Sequence, residues 1–169
     1  YYTLIFDDLR QMDVVKDTTI HHVVVEKIYL KRNMVKQYLF DKMHGLWTMT
    51  SIKYEGIRKN RNASFLRFYG KFATDSVFQL NSINDPLDFS APSSDDEFNI
   101  TSGFLALEQW LSFAPELPAG VIYNIQYDCE ARADRNQRIF VIRGISNGLE
   151  TELTFRKKDG KWMLIKLIV

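Results

Sequence analysis

The side chains in this sequence that are equipped for chemistry are few and lie far apart. The histidines are His21, His22 and His44. Neighbours on a strand point to opposite faces, so His21 and His22 cannot converge on one metal ion. They read as surface or hairpin-packing residues. Asp7 and Asp8 form an acid pair at the start of a short helix expected over residues 4–12. There they complement the helix dipole rather than hold a metal. The acids of "SSDDE", residues 93–97, are adjacent in a loop, whereas a calcium site needs oxygens converging from spaced positions. Cys129 is the single cysteine, so it forms no internal disulfide. Alternation sets it among aromatic side chains, as a small buried hydrophobe rather than a reactive thiol. No cofactor and no metal is expected.

The chain that must position these residues has 169 residues, 46% apolar and 25% charged, enough to bury a core. Its 22 basic and 21 acidic residues nearly cancel. That balance gives no reason to expect a nucleic-acid partner. No apolar run reaches the length of a membrane span. Aromatic residues are abundant at 14%, which suits a sheet-rich core. The sequence opens at "YYTLIFDD" without an initiator methionine, which reads as a processed or trimmed product whose export signal would lie outside it.

Two stretches resemble each other. "FDKMHGLWTMTSIKY", Phe40 to Tyr54, and "FRKKDGKWMLIKLIV", Phe155 to Val169, each place a Phe, a polar turn ending in Gly, and a Trp opening an apolar strand. Pairing each residue with the one 115 positions later lays 24–54 on 139–169 without a gap. Phe40/Phe155, Lys42/Lys157, Gly45/Gly160 and Trp47/Trp162 are identical, and apolar positions meet apolar ones around them. A fixed offset of this kind marks a repeated unit. "DG" at 159–160, and less well "HG" at 44–45, supply the positive φ of a tight hairpin turn. Each copy therefore ends in an antiparallel meander. In the second copy strands are expected near 121–132, 137–146, 149–157 and 161–169.

Ahead of the second meander, Phe65, Phe68, Tyr69 and Phe72 fall at i, i+3, i+4 and i+7, one face of a helix. Asn62 or Ser64 can cap it, and Asp75 can cap a short helix from Ser76. "NDPLDFSAPSSDD" reads as a loop. "TSGFLALEQWLSFA" reads as a third helix facing inward through Phe104, Leu107 and Leu111. The first meander has no such helices before it. Residues 1–57 are thus expected to be the back part of a first copy, 58–61 a linker, and 62–169 a complete domain. The apolar face of the first meander then needs a cover, either the second domain or a second chain pairing through the 1–57 sheet.

A long amphipathic helix, two shorter ones and a curved four-strand sheet ending in "GKWMLIKLIV" resemble the nuclear-transport-factor-2-like (cystatin-like) superfamily. Phe65, Phe68, Phe72, Asp75, Ser76, Phe78, Gln79 and Pro86-Leu87 are similar to the pattern of a Bacteroides family of predicted lipoproteins of unknown function, in which the unit is duplicated. "SINDPL" stands where that family has Arg-Ile-x-Phe-Pro-Leu. The resemblance implies an α+β fold, a cone-shaped roll of curved antiparallel sheet wrapped around a long N-terminal helix. It also implies a place in the cell envelope or periplasm, and no particular activity.

Superfamily enzymes, among them ketosteroid isomerases and dehydratases, use Asp, His or Tyr pointing into the cone. Strand parity here turns Val121, Tyr123, Ile125 and Tyr127 inward, with Asp128 and Glu130 outward. Thr151, Leu153 and Phe155 also turn inward. Met163, Ile165, Leu167 and Val169 form one face of the last strand. The expected cone holds tyrosines and no carboxylate, so general acid–base catalysis lacks its titratable group. The leading expectation is a non-catalytic module binding a partner protein or a small apolar ligand. The pocket candidates are Phe65, Phe68, Tyr69, Phe72, Tyr123, Tyr127, Arg143 and Phe155. The alternative is a cone-pocket lyase or isomerase acting on a small hydrophobic substrate.

Overall fold

The structure is a computed structural model and describes residues 1–96, 98–127 and 135–169. Strand β1 (Tyr2–Phe6) leads through the one-turn helix α1 (Leu9–Met12) and a 3-10 turn (Asp13–Lys16) into a meander. That meander is β2 (His22–Tyr29), β3 (Met34–Met43) and β4 (Leu46–Gly56). Helices α2 (Ala63–Phe72) and α3 (Ser76–Asn81) follow, then β5 (Ile83–Pro92) and β6 (Ile100–Leu105). A 3-10 turn (Leu107–Gln109) and α4 (Trp110–Phe113) precede β7 (Val121–Tyr127) and a second meander. The second meander is β8 (Gln137–Arg143), β9 (Glu150–Lys158) and β10 (Lys161–Ile168).

Six strands form one sheet in the order β1-β8-β9-β10-β5-β6, and four form another in the order β4-β3-β2-β7. The strand that precedes each meander has crossed to the other half's sheet. β1 runs antiparallel to β8, with Ile5 opposite Phe140. β7 runs antiparallel to β2, with Ile125 opposite Val25. The two exchanged strands meet at Thr3, whose hydroxyl donates to the Tyr123 carbonyl and accepts from the Tyr123 amide, both at 2.7 Å. The expected split between 1–57 and 62–169 is therefore crossed by both strand pairings. The buried cluster is also common to the two parts. It joins Ile5, Ile28, Val35 and Ile57 to Phe65, Phe72, Phe140 and Leu164. Residues 58–61, expected as a linker, include the buried Asn60 and lead straight into α2.

The two meanders share their geometry at the 115-residue offset. Val25↔Tyr38↔Ile52 pair as Phe140↔Leu153↔Leu167 do, and Phe40↔Met49 as Phe155↔Leu164 do. Each last strand carries one extra residue at the matching place, Thr50 and Ile165. The hairpin turns have matching positive φ, 50° and 78° at His44-Gly45, 49° and 78° at Asp159-Gly160. Asn33 (52°) and Gly148 (67°) match as well.

Several expectations are corrected. Residues 4–12 are a strand followed by one helical turn, because Leu4 and Phe6 pack against Ile139 and Val141. Asp8 is the N-cap of α1, accepting from the Gln11 amide at 3.0 Å, while Asp7 is buried. The helix expected to be long is ten residues, and the cone wraps around a short α2. The "NDPLDFSAP" loop is strand β5, laid parallel against β10. Of the expected third helix, residues 101–105 are strand β6, and only the 3-10 turn and α4 are helical; Phe104 on the strand and Leu111 on α4 both turn outward, each 76% exposed. In β10 the extra residue reverses the parity, and Trp162, Leu164 and Leu167 face the core together.

Candidate functional site

Helix α2 fills the cone formed by the six-stranded sheet. Its apolar stripe places Phe65, Phe68, Tyr69 and Phe72 in the core, as their spacing requires. Phe65 lies 5.3 Å from Phe155 and 5.6 Å from Trp162, centroid to centroid, and Phe72 meets Phe155 edge-on at 5.2 Å. Tyr69 lies 4.5 Å from Phe140 and donates its hydroxyl to the Pro118 carbonyl at 2.9 Å. Burial pushes its phenol pKa far upward, which keeps it neutral. Five of the eight pocket candidates, Phe65, Phe68, Tyr69, Phe72 and Phe155, are thus packed against each other and their neighbours.

Beneath the four-stranded sheet lies a polar network that sequence reasoning missed. Glu26 is fully buried and accepts from Asn60 (2.6 Å), Gln37 (3.1 Å) and Asn124 (3.2 Å). Asn60 Oδ1 accepts from the Asn62 amide, and Asn62 Oδ1 accepts from Arg138 Nε at 2.8 Å. Asn62 therefore begins α2 without making a side-chain cap bond to it. Arg138 stands 3.5 Å from Asp7, which also pairs with Arg61 and accepts from Gln11. The network explains why β7 turns the face opposite to the expected one toward the core. Asn124 and Ile122 face the core, because Asn124 serves Glu26 and the Ile5 amide. The more apolar set, Tyr123, Ile125 and Tyr127, faces the other way. A signal was present in Glu26 and Asn124, polar residues alternating with Ile28 and Ile122 on neighbouring strands.

The outward face of the four-stranded sheet carries an apolar concavity that one pocket candidate lines. Val23 and Val25 of β2, Phe40 of β3, Trp47 of β4, and Ile125 and Tyr127 of β7 form its floor. Val14, Val15 and Ile20, from the segment joining α1 to β2, form one wall. The groove encloses about 470 Å³, within the usual range for small-molecule sites. Asp17, Thr18 and Lys42 supply its polar rim. Burial raises the Tyr127 phenol pKa, and the nearby Arg143 opposes that rise. Tyr127 is the one pocket candidate that lines this groove. Tyr123 is held through its backbone by Thr3, and Arg143 pairs with Glu150. Val25 occupies the place that Phe140 takes in the second meander, and the smaller side chain leaves room in the first.

The histidines do not gather: His22 bonds Asp41 at 2.7 Å, and His44 sits in a hairpin turn. No three His, Cys, Asp or Glu side chains converge for a metal among the described residues. Cys129, Asp128 and Glu130 lie outside the described residues. Among them, too, no helix is long and apolar enough to cross a membrane.

A crystal structure of an NTF2-like protein from Bacteroides fragilis is similar to this chain, with 41% sequence identity and a TM-score of 0.89. The match covers 99% of this chain and 73% of that one. No curated protein matches. The sequence also matches a family described as "Domain of unknown function (DUF4348)" over residues 1–168. At that identity and coverage the α+β architecture is that of an NTF2-like protein, and the chain belongs to the DUF4348 family.

Proposed function

We propose that this protein is a non-catalytic module of the cell envelope that binds a small apolar ligand in the groove on the outward face of its four-stranded sheet. One observation carries the reading. Of the two concave sheet faces, one is filled by the rings of α2, whereas the other leaves an apolar groove of about 470 Å³. Among the described residues the buried carboxylates, Asp7 and Glu26, are engaged by other side chains: Asp7 pairs with Arg61 and Arg138. Glu26 is enclosed by three amide donors and lines neither the groove nor the α2 cone. The envelope location rests on the resemblance to predicted lipoproteins. The shared register, extra residue and turns of the meanders support an origin by duplication of one unit.

The test is a titration of residues 1–169 with N-phenyl-1-naphthylamine, an uncharged fluorescent probe. Saturable binding at about one probe per chain is expected. Val25→Lys, which puts a charge on the groove floor, should weaken it about tenfold or more. Leu46→Lys, on the exposed end of β4 outside the groove, should leave it unchanged. Binding unaffected by Val25→Lys, or none at all, would sink the reading.

A further inference from the structure

In the second half, α2 lies on the concave face made by Phe140, Leu153, Phe155, Trp162, Leu164 and Leu167, all of them buried. Strand β5 then closes the outer edge by pairing in parallel with β10. The residues at the same register in the first half are Val25, Tyr38, Phe40, Trp47, Met49 and Ile52. They form an equally apolar face, yet Trp47, Met49 and Ile52 are 46%, 49% and 44% exposed. Among the described residues β4 pairs with β3 alone, and its other edge is open along eleven residues. A long, apolar, unpaired edge beside an apolar face is costly to leave in water. The described residues supply neither helix nor edge strand for this face, and in the second half one continuous segment, α2 to β6, supplies both.

We propose that this face and this edge are covered by a helix-then-strand segment of the same polypeptide lying ahead of Tyr1. The helix presents aromatic or large apolar side chains at three- and four-residue spacing, as α2 does, and the strand pairs in parallel with β4. Moving residues 63–105 back by the 115-residue offset puts this segment between about 50 and about 10 residues ahead of Tyr1. The Bacteroides fragilis relative has room for it. The match spans about 167 residues, 99% of 169, which is 73% of a chain of about 229, leaving about 60 residues beyond it. The segment roofs the groove without filling it, because Val25 is smaller than its counterpart Phe140 and leaves space beneath the helix; the inference therefore rests on the ligand reading for its function. It rests on the strand registers alone for its existence.

Amide hydrogen exchange in β4 separates the two. Residues 1–169 would be compared with the natural polypeptide extended by its own upstream sequence. In the extended form, the β4 amides that face away from β3 should exchange about a hundredfold more slowly, as for a paired strand. Trp47 should also be shielded from acrylamide. The double variant Met49→Lys/Ile52→Lys should lower the melting temperature of the extended form only. Equal exchange in both forms would overturn the proposal. So would light scattering that shows a dimer in both forms, with β4 protected only in the dimer, since a second copy would then be the cover. Either result leaves the naphthylamine titration to stand or fall by itself.

Discussion

Asp7 shows how far the environment of one side chain lies from its sequence neighbourhood. Next to Asp8 and a short helix it looks like a surface dipole partner, yet its carboxylate is buried between Arg61 and Arg138. Removing one member of a buried ion pair leaves the other charge uncompensated, at a cost of about 3–5 kcal/mol. Asp7→Ala should lower unfolding free energy by that amount in urea titrations, whereas Asp8→Ala, which removes a cap, should cost about 1 kcal/mol. Glu152 offers a pH test. Its pKa is raised, first by burial and then by the neighbouring Glu150. A carboxyl group whose folded pKa lies above its unfolded value near 4.5 holds its proton more tightly when folded. Stability is therefore lost as pH rises from the unfolded pKa through the folded one. Glu152→Gln should melt higher than the wild type at pH 7, and that advantage should disappear near pH 4. An advantage independent of pH would show that charge is not the cause.

At the scale of elements, what was legible is what is local. The stripe Phe65, Phe68, Tyr69 and Phe72 has helical spacing and forms a helix. "HG" and "DG" make matching turns, and Asp75 caps α3 by accepting from the Phe78 amide at 2.9 Å. The misread elements are those decided by distant partners. β5 contains Pro86 and reads as a loop, but β10 and β6 hold it on either side. β7 shows its apolar side to the groove because Asn124 is needed by Glu26, 98 residues away. The same logic hid the site: of the pocket candidates, those on α2 were legible as apolar, and nothing local distinguishes a ring that lines a cavity from one that fills it. The equivalence of the meanders makes a paired prediction. Phe155→Ala, in the covered half, should cost about 3–5 kcal/mol. Phe40→Ala, at the same register in the open half, should cost less than half as much in residues 1–169. Equal costs would mean that the first face is already as well packed as the second.

On the scale of the whole molecule, the crossing of β1 and β7 decides how the chain unfolds. Each sheet needs a strand from the other half, and the polar network from Glu26 to Asp7 runs through Asn60, Asn62 and Arg138 across both. Neither half can open without exposing an edge and stranding buried charges in the other. Unfolding should therefore be a single cooperative transition. Trp47 reports on the four-stranded sheet, and Trp110 and Trp162, both buried, report on the α2 core. Urea curves from single-tryptophan variants that keep either Trp47 or Trp162 should share one midpoint. Residues 62–169 expressed alone should not reproduce it, because β8 would lose β1 as its neighbour and Arg138 would lose Asp7. Two separated midpoints, or a stable 62–169 fragment, would instead show that the halves fold as independent units and that the strand exchange is a late docking step.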